Sequence, residues 1–173
     1  MEFDLESLIR EIPDFPKPGI KFKDFTPLLA DPVGLRTMID ALAAPFRDAG
    51  ITKVVGAEAR GFILGGALAY TLGAGFVPAR KPGKLPAETM RAEYALEYGV
   101  DSLEIHVDGL VPQDVVLIVD DVLASGGTAA AKAQMVAEAG ATLAGYAFLI
   151  ELDFLSGRAK LGDEPLVALV HVS

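Results

Sequence analysis

Two stretches of this chain share one layout: an apolar run, a helix-forming segment closed by glycine, and a second apolar run. In the first, Lys53 to Ala57 reads as a buried strand, Phe62 to Leu72 as a small-residue helix stopped at Gly73, and Gly75 to Ala79 as another strand. In the second, the same parts are Val115 to Val119, Thr128 to Ala139 with its stop at Gly140, and Leu143 to Ile150. Strands apolar on successive residues, not on alternate ones, are strands covered on both faces. Two such units predict an α/β fold, a mostly parallel central sheet with helices on both faces, whose ligands sit beyond the carboxyl ends of the strands. Asp120 and Asp121 stand at one of those ends.

The surrounding segments are less regular. Leu5 to Ile12 is expected to form a short amphipathic helix, and Pro13 to Leu29 to be too proline-rich for regular structure. Asp31-Pro32 starts a helix that runs from Val33 to Ala49 and stops at Gly50. Between the two units, Arg80 to Gly99 predicts a mobile loop and then a short strand around Tyr94, Leu96 and Tyr98, paired as a hairpin with Leu103 to Val107. Arg80, Lys81, Lys84 and Arg91 all lie in that segment. No repeat, low-complexity tract or linker divides the chain, so residues 1–173 are expected to form one domain.

Composition narrows the chemistry. The net charge is −9, which as a whole repels nucleic acid and anionic membrane, so an anionic ligand needs a local basic site such as the cluster beginning at Arg80. There is no cysteine, which removes disulfides, thiolate catalysis and cysteine-ligated metals, and leaves hard, oxygen-bound ions. Charged or glycine residues interrupt each apolar run well short of a membrane span, and the amino terminus is acidic where a signal peptide is basic. A cytoplasmic protein is the expectation.

The stretch VVLIVDDVLASGGTAAA, Val115 to Ala131, carries most of the functional information. Ala124-Ser125-Gly126-Gly127-Thr128 places two hydroxyls and two glycines just before a helix, where backbone N–H groups and the positive helix terminus favour a phosphate. Neither G-x-x-x-x-G-K-[ST] nor G-x-G-x-x-G is present, so a nucleoside-triphosphate loop and a dinucleotide fold find no support. Two carboxylates beside a phosphate loop suit the hydroxyls of a sugar, met directly or through Mg²⁺. Taken alone, the same residues also describe a strand ended by acids and turn-forming glycines.

Other segments select between these. VVLIVDDVLASGGT resembles the phosphoribosyl-diphosphate motif of the type I phosphoribosyltransferases. PDFPKPGIKFKD, GAEARGF, RKPGKLP, LEYG and LEIH, in that order from Pro13 onward, resemble more narrowly the branch of the family that acts on adenine. The resemblance reaches about Leu152. It implies the family's fold, with a small hood at about residues 13–29 and a lid at about residues 80–99. It also implies transfer of the 5-phosphoribosyl group from phosphoribosyl diphosphate to adenine, giving AMP and diphosphate in purine salvage, by a homodimer.

Residue by residue, the resemblance implies that Ala124, Ser125, Gly126, Gly127 and Thr128 surround the 5′-phosphate and that Asp120 and Asp121 meet the ribose hydroxyls, with Mg²⁺ held mainly through substrate and water. Arg60 is expected to act on the diphosphate, with Lys81 and Lys84 closing over it and Arg80 reaching a neighbouring subunit's site. Main-chain groups near Lys21 and Lys23 would read the adenine edge, Phe22 would stack on the ring, and Val122 and Tyr98 would complete the base site. The family usually has leucine at the position of Val122 and threonine at that of Ser125, so the wall is smaller and the hydroxyl is kept. Relatives acting on 6-oxopurines have an aspartate where this chain has Ala124, which moves the expected acid–base role to Glu97. His106 and His171 are read as structural. The competing readings are a 6-oxopurine substrate, an effector-binding regulator of nucleic acid, and a purely structural α/β domain.

Overall fold

Both βαβ units form where the sequence places them. In a computed structural model that describes residues 4–96 and 98–173, the strands are β1 (Arg10–Pro13), β2 (Lys21–Asp24), β3 (Lys53–Ala57), β4 (Gly75–Ala79), β5 (Thr89–Ala95), β6 (Val100–His106), β7 (Val115–Leu123), β8 (Thr142–Leu152) and β9 (Leu166–Val172). The helices are α1 (Thr26–Ala30), α2 (Pro32–Ala43), α3 (Arg60–Leu72) and α4 (Gly127–Glu138). Five strands make one sheet in the order β4-β3-β7-β8-β9, and every neighbouring pair in it is parallel.

The sheet is buried on both faces, which explains its unbroken apolar runs. Val54, Leu117, Val119, Ala147 and Leu149 pack on one side with Met38 and Leu42 of α2 and Leu64 and Leu68 of α3. Their neighbours Val55, Val116, Ile118, Tyr146 and Phe148 pack on the other with Met135 and Val136 of α4 and with Ala92, Leu103 and Ile105 of the β5–β6 hairpin. The α/β expectation with helices on both faces therefore holds, and the hairpin joins α4 on the second face.

Several boundaries differ from expectation. Leu5 to Ile12 is not a helix: a single 3-10 turn at Glu6–Leu8 leads into β1, whose Ile12 pairs with Phe22 of β2. The apolar spacing there is helical, but Asp4 Oδ1 accepts from the N–H groups of Glu6 and Ser7 and closes a short turn, after which Ile9 is extended. The proline-rich Pro13 to Leu29 likewise contains regular structure, in β2 and α1, because its prolines lie outside the paired residues of β2. The helix expected to reach Ala49 ends at Ala43 and tightens to a 3-10 turn at Ala44–Phe46, since Pro45 offers no N–H. In the hairpin, β5 ends at Ala95, and Leu96 and Tyr98 fall in the connection to β6.

The correction that matters most for the site is in β7. The strand runs through both aspartates to Leu123, so Asp120 and Asp121 are in-strand residues and point to opposite faces of the sheet.

Candidate active site

The loop after β7 is shaped by close backbone approaches. Gly126 has φ of 83°, and a Cβ on it would run into the carbonyl oxygen of Gly157. A Cβ on Gly157 would in turn meet the carbonyl oxygen of Ala124, so the 3-10 turn Gly157–Lys160 packs tightly against the loop. Among the described residues no side chain caps α4, whose N-cap, Gly126, lies in this loop. By contrast, Asp31 Oδ1 caps α2, accepting from Val33 N and Gly34 N at 3.0 and 2.7 Å. The first-turn N–H groups of α4 are thus left for an anion. Asp120, Val122 and the residues from Ala124 to Thr128 line one pocket there.

The two aspartates, both buried, have different neighbours. Asp120 faces α4, where Lys132 Nζ donates to its Oδ2 at 2.7 Å. Its Oδ1 accepts the Asp121 N–H at 3.2 Å and lies where a side chain on Gly61 would stand, 2.5 Å from an ideal Cβ. Asp121 faces α3. Arg60 Nε is 2.8 Å from its Oδ2 but is not aimed as a donor, so this buried oxygen has no hydrogen-bond partner. Burial first, and then the charge of Asp120, push the Asp121 carboxyl up to about 6 against the opposing pull of Arg60.

Arg60 also joins the site to the β1–β2 hairpin. Its guanidinium carbon lies 5.3 Å from the centre of the Phe22 ring and 5.6 Å from that of Phe25. Phe22 is braced edge-on by Phe15. Lys21 and Lys23 both turn their ammonium groups to Glu11 on β1, at 3.2 and 2.8 Å. Because among the described residues β2 pairs with β1 alone, its other edge leaves alternate main-chain groups open to a planar ligand.

The expected lid residues are anchored within the chain. Lys81 donates its main-chain N–H to Glu58 Oε1 at 2.7 Å, and its ammonium group is bonded to Asp101 and to Tyr94 Oη. That main-chain bond, with Arg80 beside it, holds the Glu58 carboxyl below its ordinary value. Arg80 Nε lies 3.3 Å from the same carboxylate. Lys84 turns back on Lys81 through a 3.3 Å main-chain bond. Tyr98 is 87% exposed in the β5–β6 connection, and the adjoining Glu97 lies outside the described residues.

The two histidines are also placed. His106 Nε2 lies 3.3 Å from the Ala87 N–H, while His171 sits with Asp153 and Glu151 near the ends of β8 and β9. Arg158 already holds both oxygens of Glu151 at 2.7 and 2.8 Å, so that acid is satisfied without an ion.

This geometry has known counterparts. The family model for the phosphoribosyl transferase domain matches residues 28–163. The adenine phosphoribosyltransferase of Synechococcus sp. (strain ATCC 27144 / PCC 6301 / SAUG 1402/1) is 58% identical over 167 residues, 96% of this chain and 98% of that protein. The chain belongs to the adenine phosphoribosyltransferase family. The family's enzyme from Acaryochloris marina is 59% identical over 97% of this chain and 99% of its own length. The crystal structure of adenine phosphoribosyltransferase from Rhodothermus marinus superposes with a TM-score of 0.93 at 54% identity, covering 97% of this chain and 96% of that one. The Saccharomyces cerevisiae enzyme, solved with an imino-altritol bisphosphate and adenine, has a TM-score of 0.90 at 44% identity, covering 95% and 96%.

The sequence marks the loop, the acids and Arg60. It does not single out three groups that organise their surroundings here: Glu58, Asp101 and Lys132. Glu58 lies inside the quoted GAEARGF, and Asp101 is one acid among many. Lys132 had a signal of its own, as the only charged residue between Thr128 and Ala137 on a helix that packs on the sheet.

Proposed function

We propose that this chain transfers the 5-phosphoribosyl group from phosphoribosyl diphosphate to adenine, producing AMP and diphosphate. Its carrying observation is the single pocket in which an uncapped helix terminus and loop, Ala124 to Thr128, meet the buried carboxylate of Asp120. The loop and the first turn of α4 bind the 5′-phosphate, and Asp120 and Asp121 accept from ribose hydroxyls. Phe22 and the open edge of β2 take the purine, with Val122 on the opposite wall.

As the glycosidic bond to diphosphate breaks, positive charge builds on the ribose ring and negative charge on the leaving group. The carboxylates below the ring suit the first, and Arg60, Lys81 and Lys84 suit the second. Arg60, paired with Asp121 but partly exposed, can turn toward diphosphate. Lys81 must leave Asp101 to do the same, which couples diphosphate binding to closure of the segment over the ribose and to exclusion of water. Glu97 handles the proton at an imidazole nitrogen of adenine.

Mg²⁺ fits the acid pair: both are hard oxygen donors, and the Asp121 Oδ2 atom is buried with no hydrogen bond. It would be held mainly through substrate oxygens and water, with Asp121 the carboxylate open to it, and it would neutralise charge on the diphosphate. A homodimer is part of the same reading. Tyr70, 90% exposed, and Ile63, 49% exposed, present an apolar face of α3 suited to a second subunit. The cytoplasm is the expected compartment, and among the described residues no helix is long and apolar enough to cross a membrane.

The test is AMP formation from adenine and labelled phosphoribosyl diphosphate with saturating Mg²⁺, in competition with hypoxanthine, guanine and xanthine. Absence of AMP, or preference for a 6-oxopurine, would overturn the assignment.

A further inference from the structure

Lys132 is wholly buried, an uncommon place for an ammonium group, and it sits one helical turn after Thr128 on the same side of α4. Its Nζ donates to Asp120 Oδ2 at 2.7 Å and to the Val119 carbonyl oxygen at 3.1 Å. Ala129 and Ala131, its neighbours on the helix, are buried as well. Well-packed apolar side chains in place of both Lys132 and Asp120 would cost little or no stability, because removing two charges from water costs about as much as their pairing returns. Stability alone therefore does not account for a lysine here.

We propose that Lys132 is a positioning residue for Asp120, fixing the orientation of its carboxylate for the ribose and tying it to the helix whose first turn receives the phosphate. The proposal rests on the ribose role assigned to Asp120 above. Three contacts restrain that carboxylate: Lys132 on Oδ2, and on Oδ1 the Asp121 N–H and the bare backbone of Gly61. The acids thus divide the work by their partners. The cation beside Asp121, Arg60, is 43% exposed and can swing to a ligand, whereas Lys132 has no exposure and stays with Asp120 whether or not substrate is present. Lys132 also offsets one of two negative charges that would otherwise repel an incoming phosphate.

The test compares Lys132→Met, Asp120→Asn and the double variant by steady-state kinetics and by calorimetric binding of ribose 5-phosphate, which needs neither turnover nor a purine. Lys132→Met is expected to weaken ribose 5-phosphate and to raise KM for phosphoribosyl diphosphate about tenfold, with KM for adenine changed less than about twofold. On the Asp120→Asn background, Lys132→Met is expected to add less than about twofold, because its partner no longer needs a cation. Wild-type affinity in Lys132→Met, or the full loss repeated on the Asp120→Asn background, would overturn the proposal. If Lys132→Met does not fold, Asp120→Asn against the double variant decides alone: equal affinities support the proposal and a tenfold gap refutes it. If the wild-type protein makes no AMP, the catalytic assignment fails, while the ribose 5-phosphate series still reads Lys132.

Discussion

Arg60 Nε lies 2.8 Å from Asp121 Oδ2 without donating a hydrogen bond to it, and the same guanidinium rests 5.3 Å from the Phe22 ring centre. One flexible cation thereby touches both a carboxylate proposed to meet the ribose and the aromatic proposed to lie under the base. It is held by charge and ring contact, with its side chain still partly exposed.

Replacing Arg60 should therefore affect diphosphate chemistry more than folding. Arg60→Ala is expected to lower kcat/KM for phosphoribosyl diphosphate by about 10²-fold or more, while Arg60→Lys, which keeps the charge but not the planar fork, falls between. Steady-state kinetics beside a thermal melt check this, and a loss confined to the melt would refute it.

Asp121 predicts an unusual pH dependence. Its carboxyl titrates at about 6 in the folded protein, above the ordinary aspartate value. In the interval between the two values the folded state binds the proton more tightly than the unfolded chain, so raising the pH through it removes stability. Asp121→Asn should then be more stable than wild type above about pH 7 by on the order of 2 kcal/mol, with the difference shrinking toward about pH 4. Urea denaturation across that range measures it, and activity of the variant should be strongly reduced.

Lys81 is bonded to Asp101 and Tyr94 in this conformation. Asp101→Asn removes the ionic partner. It is expected to lower KM for phosphoribosyl diphosphate by up to about fivefold, since a partly exposed pair is worth roughly 0.2–1 kcal/mol. An unchanged or higher KM would show that the pairing does not compete with substrate.

Gly126 tolerates no side chain, being at positive φ and against the backbone of Gly157. Gly126→Ala should destabilise the protein by about 1–3 kcal/mol and weaken ribose 5-phosphate binding at least tenfold. Chemical denaturation and calorimetry report the two effects separately.

Glu97→Gln should slow the chemical step far more than it weakens phosphoribosyl-diphosphate binding. Single-turnover rates set beside equilibrium binding distinguish this from equal losses in both, which would argue against an acid–base role.

Much of the fold was legible because its strongest signals are local. Lys53 to Ala57 is a strand in the sequence and in the structure, as apolarity on successive residues has few other outcomes at that length. Gly73 and Gly140 stop their helices because each adopts the left-handed conformation, with φ of 67° and 73°. The amino-terminal segment failed on the same kind of reasoning: Leu5, Leu8, Ile9 and Ile12 have helical spacing, but a turn at Asp4 and pairing with Phe22 bring three of them to the core by another path.

Sequence by itself determined the parallel α/β architecture, the glycine-shaped loop before α4 and the residues proposed for the site: paired acids, one arginine and basic residues after β4. Those follow from hydrophobic period, turn chemistry and ordered motifs, all readable along the chain. Tertiary structure alone decided which charge answers which. Alternation along β7 sends Asp120 to Lys132 on α4 and Asp121 to Arg60 on α3, and seats Gly126 against Gly157. A buried charge takes its partner from whatever element packs against it, and that is settled only when the sheet receives helices on both faces.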